Sequence, residues 1–372
     1  MLKFLLLLPL LLCASTAHAR PRWTEAEANA WQAKQTWPVG GNFLPSTAIN
    51  QLEMWQADTF DPATIDRELG YAQSIGMTTM RVFLHDLLWQ QDAAGFTKRI
   101  DTFLVLADKH HIQPLFVIFD SCWDPNPHPG PQHAPVAGIH NSGWVQSPGA
   151  SLADRTQDAR LEKYVKGVIG AFAKDQRILG WDLWNEPDNG GGGNYESKEP
   201  ADKNALVAAL IPKIFEWARS ANPVQPLTSG VWHDDHWDNA STWNSTERTQ
   251  LTQSDIVTFH NYGWPEEFEA KIHQLEPMHR PILCTEYMAR GNGSTFDGSL
   301  PVAARLNVGA INWGLVQGKM QTDLPWDSWK HPYTDRQPPI WFHDVFRPDG
   351  TPYRKAEAAL IQSLTTQKPG WK

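Results

Sequence analysis

Two glutamates carry the clearest chemistry in this chain. Glu186 follows the run Leu179-Gly-Trp-Asp-Leu-Trp-Asn185 and precedes Pro187, and Glu286 ends Ile282-Leu-Cys-Thr one hundred residues later. An apolar run leading straight into a carboxylate reads as a buried strand that delivers an acid to the rim of a sheet, where solvent and substrate begin. Two such acids fit the cleavage of a glycosidic bond. One protonates the leaving oxygen while the other attacks or stabilises the sugar carbon, and no single side chain reaches both faces of the ring. The plainer reading is two rim carboxylates paired with arginines.

The elements that must position these acids follow from apolar periodicity. Strands are expected at Val39 to Leu44, Thr79 to Leu84, Leu115 to Phe119, Leu179 to Trp184, Leu227 to Val231, Ile256 to His260, Ile282 to Glu286 and Ala310 to Leu315. Between them, Asp61-Pro62 caps a helix through Ile65, Leu69 and Ala72, and Thr97 opens another with Ile100, Phe103, Leu104 and Ala107 on one face. Further amphipathic stretches lie at Asp154 to Phe172, Asp202 to Ala218, Pro265 to Leu275, Pro301 to Val308 and Tyr353 to Leu364, while the helix after the fifth strand has the weakest signal. Eight alternations with near-continuous apolar strands call for a parallel sheet covered by helices, and closure gives an α/β fold of the (β/α)8 TIM barrel type. An open doubly wound sheet is the alternative.

Residues 1–19 read as a signal peptide and 20–372 as one catalytic domain. Lys3, an apolar stretch from Phe4 to Leu12 and the small-x-small ending Ala17-His18-Ala19 form the leader, with cleavage after Ala19 and a secreted or periplasmic product. Leu12 is too bulky before Cys13 for a lipoprotein site. Losing Lys3 takes the net charge from −9 to −10, and Cys122 and Cys284 remain, with no disulfide expected between them. Apart from the leader, no run approaches a membrane span, and no basic cluster would neutralise phosphates, so neither membrane nor nucleic acid is an expected partner. No obligate protein partner is evident.

A barrel places function at the C-terminal ends of its strands. The residues there include Asn42, Arg81, His85, Asp120, Asn185, Glu186, Trp232, His260, Tyr262, Glu286 and Trp313. Arg81 in the second strand, Asn185-Glu186-Pro187 after the fourth, His260-Asn-Tyr262 after the sixth, Glu286 after the seventh and Trp313 in the eighth together resemble glycoside hydrolase family 5 and the wider cellulase-like clan of retaining barrels. The resemblance covers nearly the whole mature chain. It implies Glu186 as acid/base and Glu286 as nucleophile, with Asn42, Arg81, Asp120, Asn185, Trp232, His260, Tyr262 and Trp313 around the sugar. Arg81 and the Tyr262 phenol are expected to lower the pKa of Glu286, a drier setting to keep Glu186 protonated, and Asn185 to bond the sugar 2-hydroxyl. A structural ion pair for Arg81, a satisfied rim histidine for His260 and simple packing for Tyr262 are the plainer readings.

One departure concerns the third strand, where the family commonly carries Asp-x-His and this chain reads Asp120-Ser-Cys122-Trp. No adjacent base makes Cys122 a catalytic thiol. Tryptophan is frequent, 19 in 372 residues, and Trp123, Trp144, Trp184, Trp232, Trp237, Trp264, Trp313, Trp326 and Trp329 fall at or beyond strand ends. Indole faces pack on the CH faces of pyranose rings, so part of this set is expected to line a sugar cleft and the rest to pack. The long loops Ser121 to Ala150 and Gln317 to Gly350 are expected to wall that cleft, with Gly190 to Gly193 as a spacer. Three Asn-x-Ser/Thr triplets, at Asn239, Asn244 and Asn292, fit glycosylation acceptors. No metal or organic cofactor is called for. The rivals are a metal-dependent hydrolase using His233-Asp-Asp-His236 with His260, and a carbohydrate-binding barrel without catalysis. β-1,4-Glucan, xylan and mannan all remain open as substrates.

Overall fold

Eight short parallel strands carry the architecture. The computed structural model describes residues 19–191, 194–233 and 236–372. All of the leader but Ala19, and parts of the Gly190–Gly193 and His233–His236 stretches, lie outside the described residues. The strands are β1 (Val39–Asn42), β2 (Thr79–Phe83), β3 (Gln113–Asp120), β4 (Gly180–Asn185), β5 (Leu227–Thr228), β6 (Val257–His260), β7 (Ile282–Glu286) and β8 (Gly309–Asn312). Each expected strand is present, because strands buried on both faces are written as unbroken apolar runs. Neighbours run in the order β5-β4-β3-β2-β1-β8-β7-β6, and a parallel bridge between Val231 and Phe259 brings the two ends together, giving the (β/α)8 barrel. The open sheet is thereby discarded.

The helices form the outer layer. They are α1 (Glu25–Gln32), α2 (Gln51–Trp55), α3 (Pro62–Ser74), α4 (Asp86–Lys109), α5 (Asp158–Ala171), α6 (Lys203–Ser220), α7 (Ser245–Gln253), α8 (Pro265–Leu275), α9 (Phe296–Arg305) and α10 (Lys355–Gln367). The Asp61 carboxylate caps α3 by accepting from the Thr64 amide at 3.0 Å, with Pro62 inside the first turn. Helix α8 turns Phe268, Ile272 and Leu275 into the core at helical spacing. Two starts differ from expectation. Helix α4 opens at Asp86, not Thr97, because the His85 ring caps it, and Asp92 (φ −156°, ψ 77°) breaks it within two turns. Helix α9 opens after Thr295, whose hydroxyl accepts from the Gly298 amide, so Pro301 sits inside the helix rather than at its start.

Helix α7 supplies the element with the weak signal. Asn244 is its N-cap, accepting from the amides of Thr246 and Glu247 while the Glu247 carboxylate reaches back to the Asn244 amide. The same Asn-Ser-Thr that fits a glycosylation triplet is thus half of a capping box. Cys122 and Cys284 are both free thiols. Among the described residues, no helix is long and apolar enough to cross a membrane.

Candidate active site

Arg81 organises the C-terminal end of the barrel. Its guanidinium, wholly buried, donates to Asp182 Oδ2 at 2.7 and 3.0 Å, to Glu286 Oε1 at 2.8 Å, to Asn185 Oδ1 at 2.6 Å and to Asn42 Oδ1 at 3.0 Å. These acceptors come from β4, β7 and β1, none of which except β1 neighbours β2, so the bonds cross the barrel interior. Two buried carboxylates share one cation, and the planar five-donor fork of arginine is the only side chain able to serve four acceptors at once.

Above this layer the two glutamates face each other. Carboxylate oxygens of Glu186 and Glu286 and a ring nitrogen of His260 lie within 4.8 Å of one another, all buried. Glu286 Oε2 accepts from the Tyr262 phenol at 2.9 Å. Glu186 meets His260 Nδ1 at 2.7 Å through Oε1, and its Oε2 accepts from Asn189 Nδ2 at 2.7 Å and the Cys122 thiol at 3.3 Å. The Glu186 backbone is left-handed, φ 40°, a conformation that costs a non-glycine residue of order 1–3 kcal/mol and that must be imposed by its surroundings. Burial raises the pKa of both acids. For Glu186 the bonds from Asn189 and Cys122 and the charge of Arg81 oppose burial, while Asp188 adds to it. The expected lowering of Glu286 is not what the structure gives: burial and the Glu186 charge outweigh His260, Arg81 and Tyr262. Glu286 nevertheless holds the direct contact with a permanent cation, and Glu186 does not. Burial also pushes His260 down to about 4, so its imidazole is neutral at ordinary pH.

A cavity of about 360 Å³ opens over the pair, lined by Asn185, Glu186, Glu286, Tyr262 and a set of indoles: Trp123, Trp232, Trp313, Trp326 and Trp329. A second, of about 290 Å³, shares Glu186, Trp232 and Tyr262 with it and continues past His260. Trp313 is set by Gly314, φ 74°, where a Cβ would stand 2.5 Å from Asp344 Oδ1. Of the other indoles singled out from sequence, Trp144, Trp184 and Trp237 are buried in packing, and Trp264 is exposed on the surface.

The sequence-derived site residues therefore divide. Asn185, Trp232, Tyr262 and Trp313 line the first cavity, and His260 lines the second. Asn42, Arg81 and Asp120 lie beneath, holding other side chains. Asn42 Nδ2 donates to the carbonyls of Thr285 and Asn312, and Asp120 accepts from Asn185 Nδ2 at 2.9 Å, from the Cys122 amide and from the Trp144 indole. Asp120 thus fixes Asn185 rather than meeting the cavity itself, and burial lifts its pKa to about 6. Cys122 lines the cavity and touches Glu186 and Asn185. His140, Asn141, Asn189 and Asn194 also line it and were missed, since loop residues carry no periodic signal.

His233 pairs with Asp188 at 3.0 Å, and His260 with Glu186, so the histidines of the metal reading engage different carboxylates. The Glu186, His260 and Glu286 donors are close enough for a cation, but the Arg81 guanidinium already occupies one side of Glu286.

Neither a scan of protein-family models nor a search of curated proteins finds a match. Solved structures do share the fold. They include GH5_18 from Streptomyces cattleya in complex with GlcNAc, with TM-score 0.60 and 11% identity over 90% of this chain and 80% of that one. The exo-β-1,4-mannosidase Op5Man5 from Opitutaceae bacterium strain TAV5 gives 0.59 and 16% over 95% and 62%. The endo-β-1,4-mannanase from Thermotoga petrophila gives 0.55 and 13% over 91% and 78%. The chain thus has the barrel fold seen in family 5 glycoside hydrolases.

Proposed function

We propose that this chain is an exported retaining β-glycoside hydrolase that cleaves O-glycosidic bonds of a polysaccharide or its oligosaccharides by double displacement. The observation that carries the reading is the close approach of Glu186 and Glu286, with carboxylate oxygens within 4.8 Å. A retaining pair sits about 5–5.5 Å apart, whereas an inverting pair needs about 6.5–9.5 Å to admit a water. Glu286 attacks the anomeric carbon as Glu186 passes its proton to the departing oxygen. A glycosyl ester on Glu286 then remains, and Glu186, now ionised, takes a proton from the water that displaces it. Burial suits Glu186 to the first step, because a carboxyl kept protonated at working pH can act as an acid. Asn185 is held by Arg81 and Asp120, which supports assigning it to the sugar 2-hydroxyl.

The fold is shared with proteins named for exo- and endo-acting cleavage of β-1,4-mannosyl links, so mannan-type chains head a substrate panel that also includes β-1,4-glucan and xylan. Export rests on the leader, and the mass of the mature N-terminus would test it. No metal enters the proposal, and activity should survive exhaustive chelation.

The roles of the two acids are separated by azide. With an activated aryl glycoside of a cleaved sugar, azide should attack the glycosyl ester in Glu186→Ala, and two inversions give the β-glycosyl azide. In Glu286→Ala it attacks once and gives the α anomer. The opposite pair of anomers would reverse the assignment, and sugar binding with no turnover of any glycan would favour the inactive barrel.

A further inference from the structure

We propose that the first cavity is blind-ended and takes the non-reducing end of a β-linked chain, with Asn141 reading the terminal sugar; this rests on the glycosidase reading above. Three loops that start on different strands are fastened together beside the cavity. The Asn141 amide donates to the Met320 carbonyl at 2.8 Å, and the His140 amide to Ser328 Oγ at 2.9 Å. Gln321 Nε2 donates to the carbonyls of Val136 at 2.8 Å and Ile139 at 2.9 Å. These join the loop after β3 to the loop after β8, and Trp123 stacks on Trp329 across the same seam at 5.1 Å and 14°. The loop after β1 closes the remainder, with Asn50 Nδ2 on the Gly143 carbonyl at 2.8 Å and the Lys319 amide on the Ser46 carbonyl at 3.0 Å.

In the strand order, β1 and β2 lie between β3 and β8, so this wall stands on the β1/β2 side of the rim. The second cavity lies across the ring, against residues that follow β5, β6 and β7. Glu286 and Trp313 line the first cavity and not the second, while Glu186 lines both. The sugar attacked at its anomeric carbon must therefore occupy the first, and the leaving group, protonated by Glu186, departs through the second. A chain extending past the attacked sugar would have to pass through the wall. At about 360 Å³ the cavity is at the small end for a ligand site, in keeping with a chain terminus rather than a threaded polymer.

Asn141 supplies the independent sign of a ligand. Asn141 as a residue is 1% exposed and lines the cavity, and its carboxamide is buried with neither Nδ2 nor Oδ1 finding a hydrogen-bond partner. Its backbone is left-handed as well, φ 49°. A buried amide with donor and acceptor both unused is costly unless something fills the site that uses them. The vicinal hydroxyls at the far edge of a terminal pyranose, C3 and C4, offer that donor and acceptor pair.

The test uses the full chain and paired oligosaccharides of a cleaved series, one with a free non-reducing terminus and one with its terminal C4 and C6 hydroxyls tied as a benzylidene acetal. Release of short sugars from the free series, with a loss of at least 100-fold on the blocked one, is expected. Mid-chain cleavage of blocked substrates at comparable rates would overturn the blind end. Failure of both series and of every aryl glycoside would instead overturn the glycosidase reading beneath it. For Asn141, the variants are Asn141→Gly, which keeps the left-handed backbone, and Asn141→Ala. Wild type should lose at least tenfold in kcat/KM on a terminal 4-deoxy substrate, and Asn141→Gly should no longer discriminate. A variant that discriminates as wild type does would remove Asn141 from recognition, whatever its effect on folding.

Discussion

Replacing Tyr262 with Phe isolates one contact of the reaction centre. The phenol donates to Glu286 Oε2 at 2.9 Å, and the ring stays packed against Trp326 and His343 when the oxygen is removed. A hydrogen bond to an ionised group contributes about 1.5–3 kcal/mol, and it favours the charged form only. At 1.36 kcal/mol per unit, the pKa of Glu286 should rise by about 1–2 units beyond the rise that burial already imposes. On the proposed assignment Glu286 must be ionised to attack, so the acid limb of kcat/KM against pH should move to higher pH by that amount. The alkaline limb, set mainly by loss of the Glu186 proton, should move less, and the bell should narrow from its acid side. Rates on an aryl glycoside across the pH range, with thermal melting to show an intact fold, would measure it. An acid limb at the wild-type pH would refute the assignment of Glu286 as the group that must be ionised, or of Tyr262 as its donor.

Trp313→Ala should lower kcat/KM by roughly 5- to 150-fold, from about 1–3 kcal/mol of lost packing against the sugar, and unchanged kinetics in a folded variant would take Trp313 out of the site. Asp344→Asn tests a buried acid outside the reaction. Burial and the neighbouring Asp323 lift Asp344 to about 8, so the folded chain keeps a proton that the unfolded chain releases near pH 4. Its contribution to stability is full below that pH and is lost as pH rises towards 8. The melting midpoint of wild type should therefore fall relative to Asp344→Asn between about pH 5 and 8, and parallel curves would show that Asp344 does not titrate this way.

The strands and both acids were legible because burial writes itself into sequence: Ile282–Glu286 is an apolar run that stops where the rim begins. Helix α7 was hard to read since Ser-Thr-Glu-Arg-Thr-Gln has almost no apolar face, although its Asn244–Glu247 box was there to find. Depth was the harder quantity. Arg81 and Asn42 are expected around a sugar from their positions along strands, yet they lie within the barrel beneath the cavity, and an approximate strand end does not tell rim from interior. Asn141 lies in a Pro- and Gly-rich loop whose course depends on Met320 and Gln321, far away in the chain. No local pattern encodes such a meeting. The sign of the Glu286 shift depended on desolvation, which a list of charged neighbours omits.

The cross-barrel contacts of Arg81 also bear on how the barrel can close. A strand slipped by one residue turns its inward side chains outward, so a shift of β2 or β4 would separate Arg81 from Asp182. Breaking a buried pair costs about 3–5 kcal/mol, a sizeable part of the stability of most domains. Misregistered closures are thus penalised at the same guanidinium that steadies Glu286. During refolding, regain of activity and acquisition of the correct register should be a single event, with no closed but misaligned barrel accumulating on the way.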